Sequence, residues 1–158
     1  MLGIDDMIIN RKYLSGGADM FDWKDNYSCN ITEIDKQHKH LFYLAGELND
    51  LLQAGDKFDR YDEIQKVLDD LADYTVYHFG FEEKLLKEHG FDAGEFMLHE
   101  AEHIAFVNKI KHLRNQDIDK DQHKVLMDAL MFAVTWIEKH ILDTDKKYVG
   151  FLNAKGIV

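Results

Sequence analysis

Apolar side chains recur at steps of three and four along four stretches of the chain, the period of one buried helical face. The first stripe is Ile34, Leu41, Ala45, Leu48 and Leu52, in a helix predicted to begin near Thr32, with Asp35 as a capping partner, and to end at Gly55. The second is Ile64, Val67, Leu71, Tyr74 and Leu85, opened by Asp59 and closed near Glu88, with Gly90 where a left-handed cap belongs. Asp92 and Glu95 open the third, whose stripe is Phe96, Phe106, Ile110 and Leu113. Asp119 or Asp121 opens the fourth, which runs through Val125, Ala129, Ala133 and Trp136 to about Tyr148. Four long helices joined by short loops predict an all-α chain, an antiparallel up-down-up-down four-helix bundle. The bundle is expected over residues 20–150, with an N-terminal arm at 1–19, set off by Gly16-Gly17, and an irregular tail at 151–158.

Composition supports this picture. The 158 residues contain no proline, which leaves long helices uninterrupted, and 46% of them are hydrophobic, enough for one core. The net charge of -11 repels polyanions, so neither nucleic acid nor an anionic membrane surface is expected as a partner. The apolar run from Ala129 to Ile137 is too short to span a bilayer. Cys29 has no second cysteine to pair with, and no signal-like segment opens the chain, so a cytoplasmic, monomeric protein is expected.

The chain holds nine histidines, and five fall in the gaps of the stripes. His38 lies between Ile34 and Leu41, and His78 four residues after Tyr74. His99 and His103 sit between Phe96 and Phe106, and His140 four residues after Trp136. His40, His89, His112 and His123 fall off the stripes or at helix ends and read as surface histidines. At about 1.5 Å per residue, the five stripe histidines lie about 9 to 16 Å from helix termini that share one end of an antiparallel bundle. They therefore converge on one layer. A buried cluster of imidazoles is most simply explained by a metal, and a cation also needs carboxylates. Glu82 shares the face of His78. Near His140, helical spacing favours Asp143, because Asp145 is about 140° round an ideal helix.

The run Ile34-Asp35-Lys36-Gln37-His38, then His78-Phe79-Gly80-Phe81-Glu82-Glu83, then His99 and His103, then Trp136, His140-Ile141 and Asp145, resembles the hemerythrin family, specifically the bacterial hemerythrins. The resemblance covers about residues 20 to 150 and selects Asp145 over Asp143. It implies two irons bridged by Glu82, Asp145 and one oxygen atom. His99, His103 and His140 would hold one iron; His38 and His78 would hold the other, which keeps an open position. It further implies reversible dioxygen binding, for transport, storage or sensing, rather than enzymatic turnover. Reductive chemistry on oxygen, peroxide or nitric oxide would need an external reductant.

Other motifs compete. His99-Glu100-Ala101-Glu102-His103 matches the zinc-protease pattern, with Glu100 as general base. That reading leaves His38, His78, His140 and Glu82 unexplained. A ferritin-like site needs a second Glu-x-x-His spacing, and only Glu100 to His103 supplies one. Asp117, Asp119 and Asp121 imitate a calcium loop but lack its glycine and final glutamate. Trp23 and Trp136 read as core packing, and Cys29 as a free thiol away from the ligand positions.

Overall fold

A computed structural model describes residues 21–55 and 57–158; the expected arm at 1–19 lies outside them. A short 3-10 turn, Asp25–Tyr27, precedes α1 (Thr32–Gln53), α2 (Tyr61–His89), α3 (Ala93–Arg114) and α4 (Gln122–Lys139). The fourth helix continues through a π-helical turn, His140–Asp145, into α5 (Lys146–Asn153). No strand occurs among the described residues. α1 packs on α2 and α4, and α3 packs on the same two helices, as the up-down-up-down bundle requires.

The helix ends follow the punctuation, with two substitutions of partner. Asp92 accepts from the Gly94 and Glu95 N–H groups, and Asp121 from that of Lys124, which decides between Asp119 and Asp121. Gly90 takes a φ of 72°, and Phe91 N–H returns to the Leu86 carbonyl, so α2 ends in the left-handed cap that only glycine adopts without strain. At the start of α1 the expected Thr32–Asp35 pair does not form. Asp35 turns back instead, accepting from Cys29 N–H at 2.7 Å and from the Ser28 hydroxyl, and so pins the entering chain. Asp59 accepts from Tyr61 N–H at 3.0 Å and from the Gln122 side-chain amide at 2.6 Å, tying the starts of α2 and α4 together.

The tail departs from expectation. Phe151 to Asn153 finish α5, and Leu152 is wholly buried. The chain then turns on Gly156, at φ 80°, with Ile157 N–H bonded to the Leu152 carbonyl. Helical period explains it, since Tyr148 and Leu152 are one turn apart and both face inward. They belong to a small apolar cluster with Cys29, Ile31, Ile34 and Leu86. The larger cluster, from Leu41 and Leu48 to Ile110, Ala129 and Ile137, fills the rest of the bundle. Between the two lies a layer of buried polar side chains.

Candidate metal centre

That layer contains His38, His78, Glu82, His99, His103, His140 and Asp145, each at most 4% exposed. α1 supplies His38, α2 supplies His78 and Glu82 one turn apart, and α3 supplies His99 and His103 one turn apart. His140 and Asp145 stand at the two ends of the π turn. There the backbone bonds from residue i+5 rather than i+4, as in Lys146 N–H to the Ile141 carbonyl. The turn is widened by one residue, so side chains five apart face the same way. This is why ideal helical spacing points to Asp143, although Asp145 is the one that is fully buried and Asp143 is exposed.

One ring nitrogen each of His99, His103 and His140, with one oxygen each from Glu82 and Asp145, all lie within 4.8 Å of one another. His103 and His140 Nε2 are 3.0 Å apart, and His140 and His99 Nε2 are 3.3 Å apart. Asp145 Oδ1 is 3.2 Å from His99 Nε2 and 3.1 Å from His140 Nε2. Two ligands at right angles, each about 2.1 Å from one ion, stand about 3.0 Å apart. The observed spacings therefore match the edges of one coordination shell.

His38, His78 and Glu82 form a second group of the same kind. Asp145 joins the two groups, because its Oδ2 is 3.3 Å from His38 Nε2 while Oδ1 faces His99 and His140. Glu82 also spans them. Its Oε2 lies 3.5 Å from both His78 and His103 Nε2, and its Oε1 lies 3.7 Å from His38 Nε2.

Several of these atoms have no hydrogen-bond partner, although all are buried: His38 Nε2, Glu82 Oε2 and both Asp145 oxygens. Buried polar atoms are seldom left unpaired, and unpaired carboxylate oxygens are costly. A cation among them removes that cost, and so the donor set fits one.

The electrostatics fit the same conclusion. Burial raises the Glu82 and Asp145 carboxyls, but the imidazoles around them prevail and hold both well below the usual carboxylate range. Burial opposes charge on His99 as well, yet its contacts with Asp145 and Glu82 lift it to about 10. Burial pushes His78 down to about 3, against the pull of Glu82.

An outer layer orients the rings. His140 Nδ1 is 2.7 Å from Glu102 Oε2, which also accepts from the Thr144 hydroxyl at 2.9 Å. His103 Nδ1 is 2.9 Å from Glu83 Oε1, and His78 Nδ1 is 2.9 Å from Gln37 Oε1. Such contacts turn Nε2 inward and fix the tautomer. The Tyr148 hydroxyl donates to Glu82 Oε1, and its ring stacks on His99. Phe79 stacks on His103 at 3.8 Å, and Trp136 stacks on His140 at 4.2 Å. Trp136 therefore packs against the cluster itself, beyond the core role expected of it.

The structure brings all seven expected residues together and leaves the other histidines out. His112 and His123 are exposed. His89 meets the Leu85 carbonyl, and His40 lies between Tyr43 and Tyr74. Glu100 points outward, 3.5 Å from Lys87, so it is not placed as the base of a zinc protease. Sequence reasoning missed Gln37, Glu83, Glu102, Thr144 and Tyr148 as supporting residues. Gln37 and Thr144 carried a usable signal, as polar residues on or beside a buried stripe.

The family model of the hemerythrin HHE cation binding domain matches residues 29–152. The chain belongs to the hemerythrin family. It is 36% identical over 130 residues to the bacteriohemerythrin of Clostridium acetobutylicum, covering 82% of this chain and 99% of that protein. It is 32% identical over 128 residues to the bacteriohemerythrin of Methylococcus capsulatus, covering 81% and 92%. A solved crystal structure of a leucine-to-phenylalanine mutant superposes with a TM-score of 0.64 at 28% identity, covering 82% of this chain and 94% of the other. The matched residues contain all seven side chains of the layer. No helix among the described residues is long and apolar enough to cross a membrane.

Proposed function

We propose that the cluster holds two irons and binds dioxygen reversibly, for transport, storage or sensing. The observation that carries this reading is the unequal division of donors. Three imidazoles converge on one side and two on the other, with Asp145 and Glu82 shared between the sides. His99, His103 and His140 with both carboxylates would hold one metal, and His38 and His78 with the same carboxylates would hold the other. The second side offers one protein donor fewer, which would leave room there for a small ligand. The metals would supply the electrons that bind dioxygen.

The chain's own residues do the rest. Glu83, Glu102 and Gln37 hold the imidazoles in orientation, and Tyr148 holds Glu82. Phe79, Trp136 and the two apolar clusters exclude water, which protects a reduced centre from irreversible oxidation. Among the described residues no general acid–base pair stands beside the cluster apart from these supports, and the reading is therefore one of binding rather than turnover.

The test is an optical spectrum of the reduced, iron-loaded protein before and after air, together with elemental analysis. About two irons per chain and an absorption band that appears with oxygen and vanishes on deoxygenation are expected. A band that does not reverse would overturn the reading. Sustained turnover with an external donor would replace it by reductive chemistry.

A further inference from the structure

His38 differs from its neighbours in what lies behind the ring. His78, His103 and His140 each direct Nδ1 at an oxygen 2.7 to 2.9 Å away. His38 is fully buried, and its Nδ1 has no hydrogen-bond partner. A buried thiol stands beside it. Cys29 has no exposure, and its Sγ, a His38 ring nitrogen and an Asp35 carboxylate oxygen lie within 4.8 Å of one another.

Asp35 is already engaged. Its oxygens accept from the Ser28 hydroxyl and from Cys29 N–H. Each Asp35 oxygen thus already serves a donor of the entering chain, and the sulfur offers the ring an acceptor of its own. The thiol hydrogen has its own acceptor, the Tyr27 carbonyl, at 3.9 Å from Sγ. With that hydrogen turned toward Tyr27, the sulfur lone pairs are left free to accept from the imidazole.

We infer that Cys29 is a positioning residue for the two-histidine side of the centre: its sulfur accepts from His38 Nδ1–H and turns His38 Nε2 toward the metal. The inference rests on the two-metal reading above. It adds a chemical contrast between the sides. His103 and His140 lean on the carboxylates of Glu83 and Glu102, whereas His78 leans on a neutral amide and His38 on a neutral thiol. A carboxylate partner makes an imidazole a stronger donor to its metal. Neutral partners leave the two-histidine metal poorer in electrons. A single neutral acceptor, once removed, matters more there.

The experiment is a titration of the metal-free protein with cobalt(II), against a competing chelator, for wild type, Cys29→Val and Cys29→Ser. Valine fills the space without an acceptor, and serine keeps an acceptor. Cys29→Val should weaken one of the two cobalt equivalents by about 10- to 100-fold, the usual effect of losing an outer-layer partner, and leave the other within about threefold. Cys29→Ser should restore the weakened equivalent to within about threefold of wild type. Wild-type affinity in Cys29→Val, or equal weakening in both variants, would overturn the assignment, the second by showing that only packing matters. Fewer than two cobalt equivalents in wild type would sink the two-metal reading instead. Should Cys29→Val fail to fold, the zinc-loaded wild type decides by nitrogen-15 NMR. A slowly exchanging His38 Nδ1–H that shifts in Cys29→Ser is expected. A rapidly exchanging one in wild type overturns the inference.

Discussion

His99, His103 and His140 meet at a corner built by α3 and the π turn, while His38 and His78 face them from α1 and α2. The first three crowd to within 3.0 to 3.3 Å between neighbouring Nε2 atoms, and two of them rest on carboxylates. Of the opposing pair, His78 rests on an amide oxygen. The same residue types thus give one rigid, donor-rich half and one sparser half. An asymmetric pair of positions needs no special ligand chemistry. It needs one more histidine on one side and a different layer of residues behind the rings.

The most damaging change should be to the residue the halves share. Asp145→Ala should reduce bound metal from two per chain to one or fewer by elemental analysis, and Asp143→Ala should leave it at two. Equal effects would dissolve the division drawn here. Removal of the bound metal comes next. It leaves buried carboxylate and imidazole atoms facing one another unpaired, so the melting temperature should fall by roughly 10 °C or more, at about 2–4 °C per kcal/mol for a chain of this size. Calorimetry before and after chelation measures it.

The donor-rich half can be tested alone. Glu102→Gln keeps an acceptor for His140 but removes its charge, and should weaken metal binding on that side by about tenfold, read by chelator competition. Gln37→Glu is the mirror change and should strengthen binding on the other side; a fall instead would contradict the contrast between the halves.

Protonation gives a smaller effect. Asp145 and Glu82 lift His99 from its ordinary 6.5 to about 10, so at pH 7 the metal-free fold holds a proton there. The raised value stabilises the metal-free fold fully below about pH 6.5, and that stability fades as pH rises through about 10. A metal must displace the proton. Loading at pH 7 should therefore release at least one proton per chain and weaken as pH falls, measured by calorimetry in two buffers of different ionisation enthalpy. The smallest expectation is a control. His112→Ala, on the exposed face of α3, should change neither metal content nor stability beyond about 0.5 kcal/mol.

Much of this was legible in the chain beforehand, for physical reasons. The four stripes fix which face of each helix is buried, and a histidine in a stripe has nowhere to go but the core. His38, His78, His99, His103 and His140 follow from that alone, and the helix ends at Thr32, Gly90 and Asp92 set the common depth of the first four. Asp145 did not follow, because an ideal 3.6-residue period cannot anticipate a widened turn. The resemblance to the family supplied it. Tyr148 and Leu152 were hidden for the same reason: they lie beyond the turn, where a stripe counted from Trp136 has lost its phase. Glu83 and Glu102 were hidden differently. Both are partly or largely exposed, and nothing in periodicity separates a carboxylate that leans over a ring from one that faces water.

The π turn has a consequence for how this chain tolerates insertion and deletion. A deletion of one residue between Ile141 and Thr144 would let the helix close into its ordinary winding without breaking it. In ordinary α-helix a lost residue rotates every later side chain by about 100°. Here the loss would only remove the widening. His140 and Asp145 would then stand four apart in regular winding and still share a face, so Asp145, Tyr148 and Leu152 would keep their places in the interior. The same loss earlier in α4 would carry His140 and all that follows it off the buried face. The extra residue is slack that the last third of the site can lose without losing its register.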